Sequence, residues 1–193
     1  GYTMVYGVLR FINFAHSDIV VLGAWFGFVL SSKWLPGLGV FSGEPPWWVG
    51  GLVLVLSMSF CAGVGYCIER FAYRPLRGAP RLNVLITAIG VSLLLQNTGQ
   101  LPFVFGARPA AMPALVSATP WTIGGGEGGF GVRISPVDVV IVGTAIGLML
   151  ALQYLVYRTK LGTAMRAVSY NIPNAALMGV NINRTVSITF VTG

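Results

Sequence analysis

Four apolar runs divide the chain, at residues 19–35, 47–68, 82–104 and 136–157. A helix needs ~20 predominantly apolar residues to cross the hydrocarbon core of a bilayer, and each run is of that order. Lipid offers the backbone no hydrogen-bonding partner, so spanning segments are helices or barrel strands, and runs this long and continuous do not fit strands. The pattern predicts an all-α fold, a polytopic transmembrane helix bundle. Shorter apolar stretches at residues 1–9 and from 185 onward predict partial spans, so the chain reads as a single membrane domain, residues 1–193, truncated at both ends.

Basic residues concentrate in two of the gaps. Arg70, Arg74, Arg77 and Arg81 follow the second run, and Arg158, Lys160, Arg166 and Arg184 follow the fourth. Positive charge favours the cytoplasmic side, so both gaps are expected inside. The connections at 36–46 and 105–135, rich in glycine and proline and carrying Glu44, Arg108, Glu127 and Arg133, are expected outside. Trp34, Trp47 and Trp48 then fall at the outer interface and Tyr66, Tyr73, Tyr154 and Tyr157 near the inner one, where amphipathic rings are favoured. Gly23 with Gly27, and Gly143 with Gly147, repeat at the spacing that lets helix backbones approach closely, and they are read as packing.

Composition agrees with this picture. The chain is 55% hydrophobic and 9% charged, with a mean hydropathy of +0.78, whereas soluble domains carry about 25% charged residues. The net charge of +7 falls in the gaps, where it sets topology, so no nucleic-acid partner is expected. Cys61 and Cys67 lie in one apolar run on different helix faces and read as buried free thiols. One histidine, dispersed acids and no serine or cysteine beside a base leave no hydrolytic triad or metal cluster, so neither an enzyme nor a cofactor is expected. The glycine-rich stretch 122–133 lacks the Lys-Ser/Thr that completes a phosphate loop and reads as a flexible loop.

Polar residues inside spans are costly and mark either a pathway or an interhelical hydrogen bond. Asn13, His16 and Asp18 precede the first run, and Gln96, Asn97 and Gln100 follow "ITAIGVSLLL" in the third. Asp18 reads as the N-cap of a helix beginning at Ile19. Asn13 and His16 either line a translocation path or lock a bent connection in shape; Gln96 and Asn97 are the path candidates in the third run. Residues 158–184 form the longer cytoplasmic loop. Its Ala-rich stretch, broken by Pro173 and closed by Gly179, predicts a short interfacial helix. There Ala175, Ala176, Leu177 and Met178 make an apolar knob suited to a groove on a partner or to the lipid headgroups.

The stretches "GYTMVYGVLRFINFAHSDIVVLGAW", "IERFAYRPLRGAPRLNVLITAIGVSLLLQN" and "RTKLGTAMRAVSYNIPNAALMGVNINRTVSITFVTG" occur in this order. Together they resemble the LivH-type permeases of bacterial branched-chain amino-acid ABC transporters. The segment "INFAHSD" places the likeness with the H-type branch rather than its sister permease. The resemblance implies a multi-pass protein of the bacterial inner membrane. It implies as partners a second permease, two cytoplasmic ABC ATPases that hydrolyse the ATP, and a periplasmic substrate-binding protein, importing leucine, isoleucine and valine. It also implies that the cytoplasmic loop docks into an ATPase through an "EAA" element followed by a glycine. The matching residues here are 173–179, "PNAALMG", with Asn174, Ala175, Ala176 and Gly179 as the coupling positions, but Pro173 or Asn174 stands where many relatives have the acid. Arg166 and Arg184, on either side, are expected to supply polar contacts instead. Two competitors remain at this stage: a permease for urea or short amides from the same family, and a passive channel or membrane scaffold without ATP coupling.

Overall fold

The computed structural model describes residues 7, 13–39, 46–76, 78–102, 104, 106, 111, 121–123 and 132–193. Arg10, Glu44, Arg77, Arg108 and Glu127, most of the partial span at 1–9 and the centre of the glycine-rich stretch lie outside the described residues. Each of the four apolar runs forms a helix. The first, α1 (Ala15–Val29), continues through a π-helical turn at Leu30–Trp34 into a last turn at Leu35–Gly37. The second, α2 (Trp47–Ile68), continues through a π-helical turn at Glu69–Tyr73 into a 3-10 turn at Arg74–Leu76. The third and fourth are α3 (Arg81–Gly99) and α4 (Pro136–Arg158). The segments long and apolar enough to cross a membrane are Ala15–Gly37, Trp48–Leu76, Leu82–Gly99 and Pro136–Arg158.

Three boundaries depart from the sequence expectation. The first helix begins at Ala15 rather than at 19, and its cap position, Phe14, has helical backbone and no side-chain cap. Asp18 is therefore not an N-cap; it lies within the first turn, and its carboxyl is engaged elsewhere. The second helix keeps regular α geometry to Ile68 but does not stop there: the backbone stays helical through the π turn that holds the charged pair Glu69–Arg70, because charge does not stop a helix, and ends in the 3-10 turn at Pro75, which lacks an N–H. The third stops at Gly99 rather than 104, since Pro102 disfavours helical backbone at the residue before it.

Between α3 and α4 the chain forms an antiparallel ribbon of β1 (Trp121–Ile123) and β2 (Val132–Ile134), with Thr122 opposite Arg133 and Ile123 opposite Val132. The flexible-loop reading is thus corrected at both ends of 122–133, where β-branched residues favour a ladder. After α4, the chain folds as α5 (Lys160–Tyr170) and α6 (Ile172–Leu177), and α7 (Ile182–Thr192) follows.

The core sits where α1, α2, α3 and α7 meet: Ile19, Ile68, Tyr73, Ala88, Val186 and Phe190 are buried together. A second cluster, Leu30, Leu35, Val49 and Val53, closes the other end of the α1–α2 pair. Gly23 and Gly27 are buried in that pair, and a Cβ on Gly23 would come within 2.5 Å of Cys61 Sγ. Phe26 stacks on Phe60 with ring centroids 4.3 Å apart. Gly143 and Gly147 behave differently, since α4 has no buried residue and a Cβ on either would meet open space. Cys61 is half-buried, but Cys67 is exposed, correcting the expectation of two buried thiols. Tyr73 is also not an interface residue, being only 3% exposed, whereas Trp34, Trp48, Tyr66, Tyr154 and Tyr157 are exposed.

The Gly23 contact leads to a stability prediction. Overpacking costs about 1–3 kcal/mol, so Gly23→Ala should lower the midpoint of thermal aggregation, read by size exclusion after heating in detergent. Gly143→Ala should change it little, and adding Cys61→Ala to Gly23→Ala should restore part of the loss. Equal effects at positions 23 and 143 would contradict the close α1–α2 approach.

Candidate functional site

Polar groups inside an apolar bundle need partners from the protein itself, because hydrocarbon supplies none. Three interhelical pairings meet that need. At the start of α1, buried Asn13 accepts a hydrogen bond through Oδ1 from the Tyr73 hydroxyl, 2.8 Å away. Glu69, fully buried, accepts through Oε2 from Ser187 Oγ at 2.6 Å. Asp18 accepts through Oδ2 from Ser92 Oγ at 2.5 Å and through Oδ1 from Gln96 Nε2 at 3.0 Å. Gln96 also reaches Ser92 Oγ at 3.2 Å.

Helical spacing explains why these groups converge. Ala88, Ser92 and Gln96 recur every four residues on α3 and so form one stripe; the fully buried Ala88 lets α1 come close, and Ser92 and Gln96 then reach Asp18. Glu69 and Tyr73 are four apart on the end of α2, facing Ser187 and Phe190 on α7. The polar pair is thereby backed by the rings of Tyr73 and Phe190, with centroids 5.4 Å apart. Ile19 stands beside Cys61, whose Sγ donates to its carbonyl at 3.5 Å. Cys61 lies about 21 Å along α2 from Trp47 at the helical rise, so Asp18, next to Ile19, sits within the span and not at its mouth.

A cavity of about 210 Å3 opens beside Asp18, between α1 and α3. Asp18, Gln96 and Gln100 supply its polar lining, while Leu22, Trp25 and Leu95 supply apolar walls. Such a lining can hold a small molecule with one polar and one aliphatic end. Among the described residues no group of three or more His, Cys, Asp or Glu is placed to hold a metal.

The segment after α4 is built on side-chain caps. Thr159 accepts from Gly162 N at 3.1 Å, Asn171 from Asn174 N at 3.1 Å, and Asn181 from Arg184 N at 3.1 Å, starting α5, α6 and α7 in turn. Ser169 Oγ on α5 also donates to the carbonyl of Gly7. The break between α5 and α6 falls at Asn171, not at Pro173, which occupies the first turn of α6 where its missing N–H costs nothing. Gly179 closes α6 with φ +81°, a backbone region that favours glycine. Ala175 is buried against Met165 and Val168, so it roots the segment and is not part of the exposed knob. Leu177 and Met178, each 86% exposed, form its tip. Asn174, Ala176 and Arg166 are exposed, and the Arg166 guanidinium lies 5.6 Å from the centre of the Tyr157 ring.

Of the path candidates, Gln96 joins Asp18 at the cavity, and Asn13 is locked against Tyr73. His16 is half-buried in the first turn of α1. Asn97 stands apart: it is exposed and donates to Leu93 O of its own helix at 2.7 Å. Glu69, Ser92 and Ser187 escaped the sequence reading, and Tyr73 was read as an interface ring rather than as the partner of Asn13. Glu69 was legible in one respect, since no glycine or proline interrupts the sequence between Gly65 and Pro75 and the helix was free to continue through it. Ser187 gave no signal among the hydroxyl residues of α7, of which Thr185 and Thr189 bond only to their own helix in the contacts seen.

The family model described as branched-chain amino acid transport system / permease component matches residues 1–193. The high-affinity branched-chain amino acid transport system permease protein LivH of Escherichia coli (strain K12) is 36% identical over 193 residues, covering 100% of this chain and 60% of that protein. LivH of Salmonella typhimurium is 35% identical with the same coverage. The corresponding permease protein BraD of Pseudomonas aeruginosa is 36% identical over 200 residues, again covering 60% of its length. The chain thus spans 60% of the length of these relatives. No solved structure matches.

The Asn13–Tyr73 pair supplies a second stability prediction. Leaving a buried acceptor without its donor costs about 1–3 kcal/mol, so Tyr73→Phe should lower the thermal midpoint. Asn13→Leu combined with Tyr73→Phe should cost less than the two single losses added together. Strict additivity would mean that the pair is not coupled.

Proposed function

The chain belongs to the branched-chain amino acid transport system permease-component family, and from that premise we propose that it is the translocating subunit of an ATP-driven importer of leucine, isoleucine and valine. Its setting is the bacterial inner membrane. It works there with a second permease, two cytoplasmic ABC ATPases and a periplasmic binding protein that delivers the substrate. The multi-pass helical architecture and the family's role as a transport-system component support this assignment. ATP hydrolysis belongs to the partner subunits.

The observation that carries the coupling reading is the shape of residues 158–184. Their root, Met165, Val168 and Ala175, is packed inside, while Leu177 and Met178 project as an apolar tip. A tip of this kind suits insertion into a groove on a partner, as amphipathic helices do. Asn174, Ala176 and Arg166 lie on the same exposed segment as further contact positions, and Gly179 sets its closing turn. Beyond the tip the chain enters α7, whose Ser187 is bonded to Glu69 at the end of α2. A displacement of the tip by an ATPase therefore has a short, packed route to the bundle, and the transport cycle is a shift between two packings of that bundle.

Both tip residues are almost fully exposed, so changing them should spare folding. With the full-length protein reconstituted beside its partners, Leu177→Asp or Met178→Asp should lower ATP-dependent leucine uptake about tenfold or more at unchanged membrane levels. Uptake that is indifferent to ATP in the unmutated complex would contradict the proposed function. Uptake insensitive to both substitutions would contradict the coupling segment.

A further inference from the structure

An acid in the interior of a span is expensive to keep, and its use is sought in what it faces. Asp18 faces the α1–α3 cavity. A carboxylate offers about four lone-pair positions, and among the described residues two hydrogen bonds reach this one, from Ser92 and Gln96. Both come from α3, and among the described residues no cation pairs with it. Those two donors fix the carboxyl at the wall of the cavity and leave it acceptor capacity on the open side. Leu22, Trp25 and Leu95 supply aliphatic and aromatic surface next to it, and Gln100 supplies a further amide.

We propose that this cavity is a binding site in which the Asp18 carboxylate receives the ammonium group of a small aliphatic amino acid. The aliphatic side chain lies against Leu22, Trp25 and Leu95, and the Gln100 amide meets the substrate carboxylate. The proposal rests on the transport reading above and adds to it the residue that sets charge selectivity. The cavity, about 210 Å3, is smaller than the roughly 300–1,000 Å3 of drug-sized pockets, in keeping with a single amino acid. Urea and short amides carry no cationic nitrogen, so they gain no charge pairing at Asp18 and are disfavoured. Ser92 is a positioning residue that holds the carboxylate from outside the cavity lining, whereas Gln96 both holds the carboxylate and lines the cavity.

The test is equilibrium binding of tritiated leucine to the full-length protein assembled with its partner permease and ATPases in lipid nanodiscs. Three competitors are used: 3-methylbutylamine, which keeps the ammonium; 4-methylpentanoate, which keeps only the carboxylate; and urea. The amine should displace leucine, with 4-methylpentanoate and urea weaker by about tenfold or more, and Asp18→Asn should weaken leucine binding about tenfold or more. The analogue series uses the unmutated protein, so it decides the matter even where Asp18→Asn fails to assemble. Absence of saturable leucine binding, equal displacement by 4-methylpentanoate and the amine, or unchanged leucine binding by Asp18→Asn would each overturn the proposal. ATP-driven leucine uptake alongside amine-blind binding sinks the site and leaves the transport reading standing. Amine-selective, Asp18-dependent binding without ATP-driven uptake does the reverse.

Discussion

A polar group in hydrocarbon has to find its partner inside the protein, and the arrangement of this bundle follows from that constraint. Lipid tails are as apolar as leucine, so burying apolar surface between helices yields little in a membrane; close packing and interhelical hydrogen bonds decide which helices associate. The structure divides along this line. Helices α1, α2, α3 and α7 share polar pairs and a close Gly23–Cys61 approach, and they form the core. Helix α4 contributes no polar pair to that core and buries none of its residues, although it is as apolar as the others. Each interhelical hydrogen bond contributes about 0.6–2 kcal/mol. That is modest singly, but three pairings that join different helix pairs also fix register and rotation, which apolar contact alone leaves loose.

The same pairs link the two regions to which function is assigned. Asp18 belongs to the cavity, while Asn13, five residues earlier, meets Tyr73. Tyr73 packs on Phe190, and Glu69, one turn before Tyr73, holds Ser187 on the helix that follows the exposed Leu177–Met178 tip. A continuous run of contacts thus leads from the helix that follows the Leu177–Met178 tip through the end of α2 to the start of α1. In the proposed importer this run is the route by which we propose that the ATPases act on the cavity beside Asp18. Of the polar residues that begin the first span, Asp18 lines that cavity and Asn13 is bonded to Tyr73.

The helical spans and their order were legible because length and continuity of apolar sequence are decided by the bilayer and the backbone, which act on every residue alike. What the sequence hid depends on which faces meet. Asp18 read as a cap because Ser92 and Gln96 lie more than seventy positions away. Tyr73 read as an interface ring because nothing local reveals Asn13 or Phe190 beside it. Glu69 drew no reading, since a buried acid and a solvated one look alike until the helix is seen to run on to Pro75. The knob was legible as apolar, yet the separation of a buried Ala175 from an exposed Leu177 needed the cap at Asn171 to set the rotation of α6. The likeness to the permease family came from three motifs in order, and it carries information about partners that no local pattern holds.

The most direct test of the account is the number of leucine molecules imported per ATP hydrolysed by the full complex when Glu69 is changed. Glu69→Gln can still accept a hydrogen bond from Ser187, whereas Glu69→Leu cannot. Transport through the contacts between α7 and α2 requires the ratio to fall about tenfold or more in Glu69→Leu, with ATP hydrolysis continuing, and to stay near that of the unmutated complex in Glu69→Gln. A Glu69→Leu complex that imports leucine at the unmutated ratio would contradict it.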